Sequence, residues 1–212
     1  MVAPQFEMLT PDNFSKFQDP ILHSEMIYPE PIRSTPDEYA YIINSDGAIA
    51  LVEIVDSKYI GNTIGCNLTD EEAEEYGIMN DVRGFKTFYI YNLVIENEYH
   101  GKGYAHLLLL ELIKAAKNKG EDLIVGHFRQ NGALKLIKKI GAQEKGVFRN
   151  WEDTGEDYVL CLLDLRNINI EEISKILNPC KEQLSPQEQP AISPAPLTNQ
   201  LPCTSQAQDA RA

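Results

Sequence analysis

Apolar residues are spaced unevenly along the chain, and each change of spacing marks an element. Two short runs, Ala48 to Val55 and Tyr59 to Cys66, are separated by Asp56-Ser57-Lys58 and preceded by the break Ser45-Asp46-Gly47, which predicts a β-hairpin. Thr87 to Ile95 is dense in aromatic and β-branched residues and predicts a central strand. From Tyr104 to Lys119 the apolar positions switch to helical spacing. Lys114, Lys117 and Lys119 sit at the end that suits the helix dipole, and Gly120 supplies the stop. Leu123 to Phe128 reads as a strand, Gly132 to Ile140 as a helix closed by Gly141, and Val147 to Trp151 with Tyr158 to Leu165 as two last strands. Strands alternating with helices before a closing hairpin predict an α/β fold on a mixed central sheet, parallel where the helices cross over.

The flanks are patterned more weakly. Thr10-Pro11-Asp12 opens a helical segment through Phe17, and Ser34-Thr35-Pro36-Asp37-Glu38 starts a helix expected to reach about Ile43. Leu68 to Asn80, in which Asp70 to Glu75 supplies five acids, is expected to be a loop or a short exposed helix. Ile168 to Leu177 predicts a short terminal helix. Residues 178–212 hold six of the twelve prolines and six glutamines and no aromatic residue, the composition of a disordered tail. The globular domain is therefore assigned to 1–177 and the tail to 178–212.

Composition narrows the class. The chain has 212 residues, 24% charged and 43% hydrophobic, which fits one soluble packed domain with an appendage. The net charge of −13 argues against a duplex nucleic-acid binder, because phosphate contacts need clustered cations. All of that excess lies in residues 1–82, which hold 3 basic and 16 acidic side chains. Such a surface is either a solvating face or an acidic wall that attracts a cationic substrate. The four cysteines, Cys66, Cys161, Cys180 and Cys203, form no close pair, so no zinc spacing or disulfide framework is expected. Met1 to Thr10 lacks a signal-peptide pattern, and Leu107 to Leu110 is far too short to span a bilayer, so a cytoplasmic protein with no membrane or metal is expected.

The segment richest in chemistry is Leu93-Val94-Ile95-Glu96-Asn97-Glu98-Tyr99-His100-Gly101-Lys102-Gly103-Tyr104-Ala105: a strand end, a loop with two glycines and a helix start. Amides at a helix N-terminus lack intrahelical partners and carry partial positive charge, while glycines let a phosphate approach the main chain. A diphosphate is the natural guest. Gly101-x-Gly103-x-x-His106 ends in histidine where a dinucleotide loop wants a small residue, and no Walker-type GK[ST] is present.

His100-x-x-Gly103-x-Ala105 instead resembles the central motif of the GNAT superfamily of N-acetyltransferases, with Leu93-x-Ile95 on the strand before it and Ala133-x-x-Leu136-x-x-x-x-Gly141 after it. The resemblance covers about Ala48 to Leu165. It implies acetyl-CoA, or another acyl-CoA, as co-substrate, with the pyrophosphate on the amides of Gly101, Lys102, Gly103, Tyr104 and Ala105 and the pantetheine beside Leu93, Val94 and Ile95. The Ile95 amide, or one a residue away, would then stabilise the oxyanion formed when an amine attacks the thioester. Lys102 would screen a phosphate. Lys135, Lys138 and Lys139 are better read as a solvated helix face.

This chain departs from the family pattern at three places. His100 stands where the family has Arg or Gln, Ile137 stands where many members have a tyrosine acid, and the expected Asn falls at Gln130 with Asn131 beside it. For the base, His127 is the first candidate and Glu96 the second, against packing and solvent-facing roles. Tyr89 and Tyr91 are read as core residues that could also line the acceptor site. The expected function is transfer of an acetyl group to a primary amine of a cationic acceptor in a ternary complex. The acceptor would lie against Ile21 to Arg33 and Leu68 to Arg83. The alternative is a noncatalytic CoA-binding or protein-interaction module of the same fold. Composition fixes no oligomeric state.

Overall fold

The computed structural model describes residues 2–177. The proposed tail, 178–212, lies outside the described residues. Among those described, seven strands form one sheet in the order β1-β2-β3-β4-β5-β7-β6. They are β1 (Gln5–Met8), β2 (Ile49–Val55), β3 (Lys58–Asn67), β4 (Thr87–Ile95), β5 (Leu123–Arg129), β6 (Gln143–Phe148) and β7 (Tyr158–Asp164). The helices are α1 (Phe14–Ser24), α2 (Pro36–Asn44), α3 (Asp70–Glu75), α4 (Met79–Val82), α5 (Tyr104–Lys119), α6 (Gly132–Lys139) and α7 (Ile170–Leu177).

The expected hairpin is β2–β3, and β4 and α5 occupy the predicted residues. Three expectations change. β1 was not anticipated, because Gln5–Met8 carries no run of apolar residues; it pairs with β2 at the sheet edge. The first helix begins at Phe14 and continues through Pro20 to Ser24, because Phe14, Phe17 and Ile21 form a buried stripe that outweighs the proline. The strand placed at Val147–Trp151 is β6, four residues earlier in its start at Gln143, and Trp151 lies in a short 3-10 turn. The crossovers also differ from expectation. β4 and β5, joined by α5, are parallel, whereas α6 leads to β6 at the edge and β7 returns between β5 and β6, antiparallel to both.

Helices cover both faces. Leu108, Leu112, Ile113 and Ala116 of α5 pack with Leu136 and Ile137 of α6 and Ile173 and Leu177 of α7 on one face. Phe14, Phe17 and Ile21 of α1 with Tyr39, Ile42 and Ile43 of α2 cover β2 and β3 on the other, and Ala73 of α3, Val82 of α4 and Ile78 just before α4 pack beside β5 and β7. Both α2 and α3 open with a capping box, Thr35 with Glu38 and Thr69 with Glu72, so two of the acids that looked like surface charge hold helix N-termini. Among the described residues no helix is long and apolar enough to cross a membrane, and no cluster of His, Cys, Asp and Glu could hold a metal ion.

Two local features shape the centre of the sheet. The β3–β4 register pairs Ile64 with Asn92 and Gly65 with Ile90, so Tyr91 is an extra residue, a bulge in β4. Gly65 permits it, since a Cβ there would lie 2.1 Å from the Tyr89 carbonyl oxygen. Second, β4 and β5 pair only at Thr87–Leu123, Phe88–Ile124 and Tyr89–Val125. Beyond Tyr89 the two strands part.

Glu53 of β2 is fully buried, and neither carboxylate oxygen has a partner. Burial pushes its pKa from the ordinary 4.5 up to about 8. The folded chain therefore keeps a proton that the unfolded chain has lost between those values. The stability this group contributes is full below about pH 4.5 and is lost as pH rises to 8. Glu53→Gln is expected to gain on the wild type by up to ~1.4 kcal/mol per pH unit across that window, in urea unfolding from acid to alkaline pH.

Candidate active site

Parting of β4 from β5 leaves one edge of β4 open inside the molecule. The Glu96 amide donates to Ile60 O on β3 (2.8 Å), so by antiparallel alternation Val94 and Glu96 face β3 while Leu93 and Ile95 turn their N–H and C=O groups to the open side. Two carbonyls on that side are engaged. Tyr28 donates its hydroxyl to Leu93 O (3.2 Å), and His100 donates Nε2–H to Ile95 O (2.6 Å). The Leu93 and Ile95 amides face the opening.

The open edge leads directly into the glycine loop. Gly101 and Gly103 have φ of 72° and 83°, left-handed values that a side chain resists. Gly103 is the N-cap of α5 and offers no side chain to cap it, so the first amides of a sixteen-residue helix are left for a ligand. The side chains of this loop play other parts. His100 is tied to Ile95, and Lys102 lies over the Tyr99 ring with Nζ 5.0 Å from its centre. What the loop presents is main chain.

Edge and loop open into a cavity of about 1030 Å³. Leu93, Val94, Ile95, His100, Gly101, Gly103, Tyr104, Ala105, His127 and Asn131 all line it; Lys102 and Glu96 do not. Asn131 also caps α6, accepting from the Ala133 amide at 2.9 Å. Lys135 and Lys139, expected to be solvated, line the cavity with His106, whereas Lys138 turns away to pair with Glu144. The cavity is thus divided by charge. Lys135 and Lys139 of α6 line it beside His106 of α5, whose pKa burial and Lys139 hold down, and Glu25, Glu38 and Glu152 line it from the segments around α2 and the turn before β7. Arg129, which lines the cavity, is neutralised by Glu156 through two bonds of 2.6 Å and also donates to Ile27 O (3.0 Å).

The cavity also has an aromatic wall. Tyr89 belongs to both core and cavity, whereas Tyr91, expected in the core, is exposed and lines the cavity only; Tyr28, Tyr76, Trp151 and Tyr158 complete the wall. Trp151 stacks on His127 with centroids 3.9 Å apart, carried there by a turn in which Asn150, Glu152 and Asp153 hold positive φ values. Such backbone strain persists only where surrounding contacts over-determine it. His127 Nδ1 is 2.7 Å from the Tyr89 hydroxyl, and its Nε2 is buried without a partner. Burial lowers its pKa to about 3. His127 is therefore a neutral hydrogen-bonding group at the cavity near neutral pH.

Ile137, where a tyrosine acid is common, is core, 2% exposed. A phenol reaches the cavity from a place the sequence did not indicate: Tyr158 of β7 is 3% exposed, and its hydroxyl has no partner. Burial raises its pKa and that of Tyr28, so both remain donors. Glu25 and Tyr28 lie in Ile21 to Arg33, the segment expected to face the acceptor, although neither residue was singled out within it.

A family model described as the acetyltransferase (GNAT) family matches residues 7–142, and the chain belongs to that family. No curated protein sequence matches it. Among solved structures it is similar to the ribosomal-protein-S18-alanine N-acetyltransferase of Escherichia coli, at 15% identity and TM-score 0.57, covering 79% of this chain and 99% of that one. A polyamine N-acetyltransferase of Drosophila melanogaster aligns at 9% identity and TM-score 0.61, covering 76% and 100%. Arabidopsis thaliana NAA60 in complex with acetyl-CoA aligns at 16% identity and TM-score 0.60, covering 76% and 98%.

The neutral His127 gives a direct check. Its imidazole is expected to titrate near pH 3 by NMR, and Trp151→Ala, which admits water to the ring face, should move the midpoint up toward the ordinary 6.5.

Proposed function

We propose that the protein is an N-acetyltransferase that moves an acetyl group from acetyl-CoA to a primary amine of a cationic acceptor, by direct attack while both are bound. One observation carries this reading: the open edge of β4 and the uncapped start of α5 meet in a single cavity lined by both cations and carboxylates. The amides from Gly101 to Ala105 would hold the pyrophosphate, with Lys135 and Lys139 beside it. The Leu93 and Ile95 edge would pair with the amide-bearing pantetheine as an added strand does. That arrangement brings the thioester carbonyl to the Ile95 N–H, a fixed donor for the developing oxyanion. The neutral His127 and the Tyr158 hydroxyl orient groups at the junction.

Glu25, Glu38 and Glu152 support a cationic acceptor, because a carboxylate in a cavity with aromatic walls attracts an ammonium more strongly than one in water. The relatives named above act on a polyamine and on a ribosomal protein's alanine, which share an amine nucleophile. The two described cysteines, Cys66 and Cys161, are free and buried, which agrees with a reducing compartment such as the cytoplasm.

Release of thiol from acetyl-CoA with a pool of spermidine, agmatine and a short peptide with a free α-amine tests the reading. Acceptor-dependent release is expected. Gly103→Glu, which sets a carboxylate at the helix start, should weaken CoA binding by ~100-fold or more in calorimetry. Binding without turnover would favour the noncatalytic module, and no binding would defeat both.

A further inference from the structure

A directed chain of buried hydrogen bonds runs through the sheet and ends on one carboxyl group at the cavity. The Tyr59 hydroxyl donates to Asn62 Oδ1, Asn62 Nδ2 donates to Asn92 Oδ1 (2.6 Å), and Asn92 Nδ2 donates to Glu25 Oε1 (2.6 Å). The Tyr39 hydroxyl donates to the same oxygen, and the Ser34 amide donates to Oε2 at 2.9 Å. Every donor turns its positive end toward Glu25, which is 4% exposed and lines the cavity. Among the described residues no salt bridge reaches it. A carboxylate offers about four acceptor positions, and these bonds fill all but one, on Oε2.

The other ionisable groups of the cavity are less suited to meet an amine. The His127 ring is stacked under Trp151 and bonded to the Tyr89 hydroxyl, and Glu96 lies outside the lining. Glu38 is committed to the Thr35 cap, and Glu152 is exposed at the rim. Besides Tyr59 of β3, the groups facing Glu25 are Tyr39 of α2, Tyr28, and Arg33 of the segment before α2. Burial holds these phenols protonated and pushes the Glu25 carboxyl upward against the hydrogen bonds that favour its charge.

We propose that Glu25 is a catalytic residue: it docks the acceptor's ammonium on the open Oε2 position and takes one proton from it. The proposal rests on the transferase reading above. The ammonium N–H bond breaks and an O–H bond forms on Glu25, freeing the nitrogen lone pair to attack the thioester carbonyl carbon. The C–S bond then breaks with its electron pair going to sulfur, and a second proton from the nitrogen neutralises the thiolate. The third stays on the amide, and Glu25 returns its proton to water.

Thiol release by the wild type, Glu25→Gln and Tyr39→Phe is compared with two probes. One is the cationic amine pool described above; the other is trifluoroethylamine, whose nitrogen is largely unprotonated at neutral pH. Glu25→Gln is expected to lose ~100-fold or more in kcat with the cationic pool, but less than about 3-fold with trifluoroethylamine, with CoA affinity unchanged in calorimetry. Tyr39→Phe removes a donor to the carboxylate, so the acidic limb of its kcat/KM profile should move to higher pH. Equal losses on both probes with CoA binding intact, or an unmoved limb in Tyr39→Phe, would overturn the assignment, and the second result decides alone if Glu25→Gln does not fold. Wild-type protein that binds acetyl-CoA and acetylates neither probe defeats the transferase reading and this assignment with it.

Discussion

From Ile90 to Ile95 the backbone of β4 runs through the interior with no strand on one side, because β5 pairs with it only as far as Tyr89. Buried peptide groups must find partners, and an open interior edge is the most demanding form of that requirement. The molecule answers it with single side chains. Tyr28 reaches from the segment after α1 to Leu93 O, and His100 folds back from the loop to Ile95 O. Only the carbonyls are served in this way. The Leu93 and Ile95 amides and those at the start of α5 are left as two groups of donors on one cavity, separated by a turn in which the Glu96, Tyr99 and His100 amides are paired.

The same parting of strands explains the division of the cavity. α5 and α6 begin on one side of the sheet, so their positive N-terminal ends and Lys135 and Lys139 gather there. α1, α2 and the turn before β7 close the other side with carboxylates and rings. Arg129 ties these together by holding Glu156 after that turn and Ile27 O after α1. Burial then decides the protonation states. It keeps His127 neutral and the tyrosines protonated near neutral pH, and it pushes the Glu25 carboxyl upward.

Much of this was legible in the chain. Thr87 to Ile95, the two-glycine loop and the leucine-rich helix are each specified by local chemistry, which is why their boundaries match. β1 was not legible, since four residues of mixed polarity become a strand only when β2 is there to pair with them. The β6 boundary was misjudged because its burial is partial throughout, with no apolar run to mark it. The helix α1 passes through Pro20 because tertiary packing of Phe17 and Ile21 repays the lost hydrogen bond. At the site, the main-chain donors follow from glycine placement, but Asn62 and Asn92 meet only through strand register, and Glu25 and Tyr158 reach the cavity only through tertiary packing. Of the acids of α2 and α3, read from composition as either a solvating face or an acidic wall, Glu38 and Glu72 cap helices, Glu38 also lines the cavity, and Asp37, Asp70, Glu71, Glu74 and Glu75 face solvent.

The central claim is that the open β4 edge and the α5 start act as one ligand-binding surface, and backbone amide exchange measured by NMR with and without CoA tests it most directly. Slowed exchange at Ile95 and from Gly101 to Ala105, with the edge strands β1 and β6 unaffected, is the expected result. Unchanged exchange at these amides in protein saturated with CoA would contradict it.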